Sequence, residues 1–188
     1  MKVIKKVWGD VLLLEPRSHE DHRGFFLENY HYERYKDVGI EEVFIQDNHS
    51  YSKDPGVLRG MHYQRIEKAQ SKLVRVITGA VYDVVIDIRK GSPTYGKWAG
   101  FILSEFNKRL LYVPKGFAHG FCTLTPSTHV VYKVDTYYSL EHDQGVLWCD
   151  PDIGITWPVS HPILSEKDRN QPLLAEIDTS FTYNEVSV

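Results

Sequence analysis

The sequence predicts a mainly β chain, closed into a barrel or packed as a sandwich, with a few short helices. Three observations carry this. Short runs with strand-like alternation recur along most of the chain. Turn signals separate them, among them Gly91-Ser92-Pro93, Asn107-Lys108 and Pro126-Ser127. Tyrosine (12) and tryptophan (4) are plentiful, as in a β-rich core. Many short strands at this spacing bury their apolar faces only by closing or by stacking two sheets.

Taken in order, the first apolar run spans Trp8 to Leu14 and the second Gly24 to Tyr30. A helix is expected from about Asn29, a favourable cap residue, to Asp37, stopped at Gly39. Val43 to Tyr51 alternates, with Phe44, Gln46 and Asn48 on one face. Leu73 to Thr78, then Gly79-Ala80, then Val81 to Ile88 reads as a hairpin. In its second arm Tyr82, Val84, Ile86 and Ile88 share one face, and Asp83 and Asp87 the other, as in a half-buried strand. Trp98 to Leu103, Leu110 to Val113, Gly120 to Leu124 and His129 to Tyr138 continue the series. Ser165-Glu166-Lys167-Asp168 has the form of a helix start. With no repeat, low-complexity stretch or linker, one domain is expected over residues 1–188, its last part (about 178–188) a loosely held tail.

Composition narrows the function. A chain of 188 residues supports a real core, and 42% apolar with 25% charged residues is ordinary for a globular protein. A net charge of −3 argues against a general nucleic-acid binder but permits a local basic pocket for an anionic substrate. Cys122 and Cys149 fit neither a disulfide framework nor a zinc site, and are expected as inert thiols in a reducing compartment. Met1 to Asp10 lacks the apolar core of a signal peptide, and no apolar run approaches a membrane span. A cytoplasmic protein with no membrane or nucleic-acid partner is expected.

Two motifs carry the chemistry: Gly56-Val57-Leu58-Arg59-Gly60-Met61-His62-Tyr63-Gln64, and Pro114-Lys115-Gly116-Phe117-Ala118-His119-Gly120-Phe121. A glycine-bounded histidine strand followed by a P-x-G-x-x-H turn is similar to small jelly-roll barrels of the cupin type, which makes a double-stranded β-helix the expected fold. Metal-binding barrels of that type read H-x-H with a Glu soon after. Here Gln64 stands in place of the second imidazole and Glu67 sits too close, so the metal signature is broken. What remains is a pocket bearing a base.

His62 is the leading base, since a neutral imidazole suits proton abstraction. Arg59 and His62 are an odd number apart, so a regular strand points them to opposite faces; a bulge at Gly60 would bring both into one pocket. Lys72 is either a charge that stabilises an enolate oxygen or a solvated strand end. Tyr132 and Tyr138 are six apart and so share a face with Val130 and Val134; they are core rings or a general acid. Asp168 either favours its helix start or orients His62. His119 is an orienting or phosphate-binding group, or a structural histidine in a tight turn.

These residues resemble the dTDP-4-dehydrorhamnose 3,5-epimerase family. The likeness runs from Arg23-Gly24-Phe25-Phe26-Leu27-Glu28 through Gln46-Asp47-Asn48-His49-Ser50, the Arg59–Gln64 motif, Ala69-Gln70-Ser71-Lys72, Asp87-Ile88-Arg89, Ser92-Pro93-Thr94-Tyr95-Gly96 and the His119 motif to Leu164-Ser165-Glu166-Lys167-Asp168. The resemblance implies a jelly-roll homodimer with no metal or cofactor, acting on a nucleotide-diphosphate 4-keto-6-deoxy sugar. It implies His62 as base, Asp168 as its partner, Tyr132 as acid and Lys72 as the enolate-stabilising group. It implies Arg59 and His119 for the sugar and diphosphate, Gln46, Asn48 and Tyr138 for the sugar and nucleotide, and Arg23, Phe26 and Glu28 for the nucleotide across the dimer interface. Met61, Ser71 and Leu140 depart from the usual Leu, Gly and Pro without removing a chemical group.

Other readings stay open at this point. Some family members invert only one carbon, and a ketoisomerase on a related barrel uses the same enolate logic. A metal-dependent cupin needs a third ligand beyond His62 and His119, and a non-catalytic sugar-binding barrel needs none of the base, acid and orienting set.

Overall fold

The computed structural model describes residues 1–183. The chain opens with β1 (Lys2–Val7) and β2 (Val11–Glu15), followed by a small hairpin of β3 (Ser18–Asp21) and β4 (Gly24–Leu27) and the short helix α1 (Tyr32–Lys36). Then come β5 (Gln46–Ser52), β6 (Leu58–Gln64), β7 (Lys72–Thr78), β8 (Ala80–Asp87), β9 (Trp98–Ser104), β10 (Leu110–Val113), β11 (Phe117–Thr123), β12 (Thr128–Val134) and β13 (Asp143–Gly145). The helix α2 (Glu166–Arg169) follows.

Two antiparallel sheets form the jelly roll. One has six strands in the order β1-β2-β10-β7-β12-β5, the other five in the order β13-β6-β11-β8-β9. Between them, Val74, Val76 and Val130 of the larger sheet meet Val81, Val85 and Phe121 of the smaller. The outer face of the smaller sheet is covered as well. There Val84, Ile86 and Ile88 pack with Ile153, Leu174 and Phe181. The outer face of the larger sheet is partly covered by the segment around α1, where Leu12, Leu14 and Leu73 pack against Tyr35 and Ile40.

Several expectations are corrected. β7 and β8 are not a hairpin: β7 pairs with β10 and β12, and β8 with β9 and β11. The chain turns at Gly79 and crosses from one sheet to the other. Nor is β8 half-buried. Its aspartates are buried too, because Asp83 (0% exposed) faces the barrel interior and Asp87 binds Arg89, Ser92 and Thr94. The helix starts later than expected; Asn29 does not cap it but accepts a hydrogen bond from Arg75 at 2.6 Å. The lysine-rich β1 went unread, since Lys2, Lys5 and Lys6 do not alternate and the strand lines a sheet edge and buries little. β12 ends at Val134, so Tyr138 lies in the following loop.

The tail expectation fails for residues 179–183. Phe181 is only 5% exposed, Thr179 donates to the Ile88 carbonyl at 2.6 Å, and Thr182 bridges to Lys90. Residues 184–188 of the expected tail lie outside the described residues.

Candidate active site

Strand β6 supplies the candidate base, His62. His62 and Gln64 face the barrel interior while Met61 and Tyr63 enter the outer cluster, as strand periodicity requires. Arg59 would point outward on a regular strand. It does not, because β6 carries one extra residue: His62 is opposite His119 and Arg59 opposite Phe121, so three steps on β6 match two on β11. The irregularity falls at Gly60, whose φ is +135° and whose missing Cβ would lie 2.5 Å from the Gly120 Cα. Arg59 and His62 therefore line one cavity of about 280 Å³, as the bulge expectation held.

The His62 Nε2 lies 2.5 Å from the Asp168 Oδ1. Burial raises the Asp168 carboxyl, but His62, Ser165 and Lys167 outweigh it and hold the group below its ordinary value. An ionised carboxylate only accepts, so Nε2 carries the proton and Nδ1 presents the basic lone pair. The helix-start reading of Asp168 also holds, through a different atom: its backbone N–H donates to the Ser165 Oγ at 3.1 Å.

His119 pairs in the same way. It is buried, and its Nε2 lies 2.7 Å from the Oδ1 of Asp83. Asp83 was missed from sequence because it was assigned to a solvent face. Both imidazoles of the pocket are thus committed to carboxylates. Among the described residues, no three His, Cys, Asp or Glu side chains gather as a metal-binding set.

Lys72 begins β7 on the opposite sheet and lines the same cavity, its Nζ donating to the His62 carbonyl at 3.4 Å. Burial brings it down to about 8, against the pull of Asp143 and Asp83. Tyr132, also on the larger sheet, lines the cavity beside it. Burial raises its hydroxyl, partly offset by Arg59, so it holds its proton at neutral pH. Gln46, Asn48 and Tyr138 line an adjoining lobe of about 140 Å³ that shares His62, Lys72 and Tyr132.

Two charged residues of the pocket escaped the sequence reading. Lys167 lines both lobes, and Asp143 accepts from Lys167 and, at 2.8 Å, from the Tyr138 hydroxyl. The only sequence signal for Lys167 was its place beside Asp168.

Arg23, Phe26 and Glu28 are not in this pocket. They sit on or beside the β3–β4 hairpin, where Arg23 pairs with Asp21, Glu28 pairs with Arg34 and Phe26 is 72% exposed. Another hollow, about 300 Å³, is lined by Arg75, His49 and Lys133 of the larger sheet, but it lacks the dyad, so volume alone does not choose the site. No helix among the described residues is long and apolar enough to cross a membrane.

Comparison with known proteins agrees with this fold. A family model described as dTDP-4-dehydrorhamnose 3,5-epimerase matches residues 6–176. A protein of that name from Salmonella typhimurium is 52% identical over 93% of this chain and 96% of its own. The crystal structure of a dTDP-4-dehydrorhamnose 3,5-epimerase from Bacillus anthracis, with TDP and PPi bound, is 56% identical; the match covers 92% of this chain and 98% of that one, with a TM-score of 0.90. A dTDP-6-deoxy-D-glucose-3,5-epimerase from Legionella pneumophila, in complex with dTDP-4-keto-L-rhamnose, is 42% identical over 97% and 98% of the two chains, with a TM-score of 0.92. A jelly roll with a histidine, a tyrosine and a buried lysine around one cavity, matched nearly end to end at this identity, belongs to the dTDP-4-dehydrorhamnose 3,5-epimerase family.

Proposed function

We propose that this protein converts dTDP-4-dehydro-6-deoxy-D-glucose to dTDP-4-dehydro-L-rhamnose by inverting C3 and C5. The observation that carries this is the placement of His62 and Tyr132 on opposite sheets of one cavity, with Asp168 behind the base and Lys72 beside both.

The C4 ketone acidifies the protons on its neighbours, because each carbanion delocalises into an enolate. The His62 Nδ1 removes a proton from one ring face, and Asp168 stabilises the imidazolium that forms. The Lys72 ammonium meets the negative charge developing on the C4 oxygen. Tyr132 delivers a proton to the opposite face, which inverts the carbon, and the tyrosinate and imidazolium then exchange protons with solvent. Arg59 and His119 hold the sugar and diphosphate, and Gln46, Asn48 and Tyr138 line the rest; guanidinium suits phosphate oxygens.

The functional unit is a homodimer of single-domain chains. Arg23, Phe26 and Glu28 lie away from the pocket of their own chain, and Phe25 and Phe26 expose large rings on one hairpin. A second copy covers those rings and brings them to the nucleotide. The protein works in the cytoplasm, where its free thiols Cys122 and Cys149 stay reduced.

Proton NMR in D₂O with dTDP-4-keto-6-deoxyglucose tests the reaction. Deuterium entering both C3 and C5 is expected. Label at one carbon only would make the protein a monofunctional epimerase, and no exchange with the ligand bound would end the proposal.

A further inference from the structure

Gln64 stands where a metal-binding barrel carries its second imidazole, and the reaction above has no use for it. Its surroundings supply one. Gln64 closes β6, is only 4% exposed, and its Oε1 accepts the backbone N–H of Ser139 at 3.0 Å. From the other sheet, the Gln46 Oε1 accepts the N–H of Tyr138 at 3.1 Å, while its Nε2 donates to the Asn48 Oδ1 at 2.9 Å. Two consecutive backbone donors are thus held by side chains from opposite sheets. The segment they belong to leaves β12 of the larger sheet and enters β13 of the smaller. The glutamines fasten it to both walls where it crosses the barrel mouth. Tyr138 projects from that point, 50% exposed, with its hydroxyl on Asp143.

We infer that Gln64 is a positioning residue for nucleotide binding: by holding the Ser139 N–H it fixes the Tyr138 ring at the cavity mouth. The inference rests on the reading above for the nucleotide role of Tyr138. An apolar side chain at position 64 leaves the Ser139 N–H without its acceptor, so the crossing segment relaxes. The ring must then be ordered at the moment of binding, which costs affinity. The bond involves neither the His62 Nδ1 nor the Lys72 Nζ, so chemistry on bound sugar is spared.

The test uses the full chain, with thymidine diphosphate as the calorimetric probe and dTDP-4-keto-6-deoxyglucose for turnover. Gln64→Met, close in shape, is expected to weaken thymidine diphosphate binding about tenfold, with a similar rise in KM and kcat within about twofold. In a Tyr138→Ala background the same change is expected to alter binding less than about twofold, because both substitutions act through one ring. Gln64→Glu keeps an acceptor oxygen and stays folded if Gln64→Met does not; its Ser139 amide is expected to retain the slow hydrogen exchange of the parent. Unchanged affinity in Gln64→Met, full additivity with Tyr138→Ala, a loss confined to kcat, or a deprotected Ser139 amide in Gln64→Glu would each overturn the inference. A parent protein that binds thymidine diphosphate but exchanges no deuterium would remove the epimerase reading and leave the titrations to judge the clamp.

Discussion

His62 and Asp168 stand 106 positions apart and meet at 2.5 Å, Nε2 to Oδ1. The imidazole comes from the inward face of β6 and the carboxylate from the first turn of α2. The two candidate roles of Asp168 do not compete, because they use different atoms. Its N–H bonds the Ser165 cap and its carboxylate bonds the His62 imidazole.

That division separates the effects of two substitutions. His62→Ala is expected to lower kcat by about 10²–10⁴-fold, with thymidine diphosphate binding nearly unchanged. Asp168→Asn keeps the cap but offers an amide where a carboxylate fixed the tautomer; kcat is expected to fall by at least about tenfold. Stability carries a second signature. The folded Asp168 carboxyl lies below its ordinary 3.8, so its contribution is present above that pH and is lost as pH falls through the lowered value. Acid unfolding of Asp168→Asn should lack this component. Full activity in either variant, measured by steady-state turnover, would remove the dyad from the mechanism.

Tyr132 and His62 occupy opposite sheets, so in the proposed mechanism abstraction and return of the proton are separable. Tyr132→Phe is expected to cut net epimerisation about 10²-fold while solvent deuterium still enters the substrate. Loss of exchange and epimerisation in equal measure, followed by NMR, would place Tyr132 in the abstraction step instead.

Lys72 gives the pH dependence its sign. Burial holds it at about 8, against an ordinary 10.5. Between those values the unfolded chain binds a proton that the folded chain has released, so this group makes stability rise with pH across the window. On the role proposed for Lys72, activity moves the other way, since only the ammonium can meet the enolate charge. The expected profile of kcat/KM therefore falls on the basic side with an apparent pKa near 8. Lys72→Arg should push that limb to higher pH. An unmoved limb would assign it to another group.

The sequence carried the strands and most of the pocket because both are local patterns: alternation, turn residues, and a histidine strand bounded by glycines. It did not carry the sheet partners. Thr78 and Ala80 flank a turn that reads like any hairpin, and only the barrel decides that the chain changes sheets there. Asp83 was hidden for a related reason. An acidic residue on an alternating strand looks solvent-facing until His119 arrives from β11 to pair with it. Lys167 and Asp143 were not singled out, because one stands in a short helix and the other opens a short strand, where a charged residue is commonplace. Phe181 was hidden by its position near the end of the chain, although one aromatic ring suffices to dock a segment onto an apolar sheet.

Gly60 links the fold to the site most directly. A methyl group there would meet the Gly120 Cα at 2.5 Å and the His119 carbonyl at 3.0 Å, both backbone atoms that cannot swing aside. With φ at +135° the backbone itself also resists an L side chain. Relief requires β6 and β11 to separate or the bulge to be lost, and losing the bulge returns Arg59 to the outer face. Gly60→Ala is therefore expected to cost about 3 kcal/mol or more, read as a lower midpoint in chemical denaturation. The folded fraction should show a raised KM from displaced Arg59 and a lower kcat from displaced His62. A variant with parental stability and kinetics would mean that the extra residue in β6 does not hold the two side chains in one pocket.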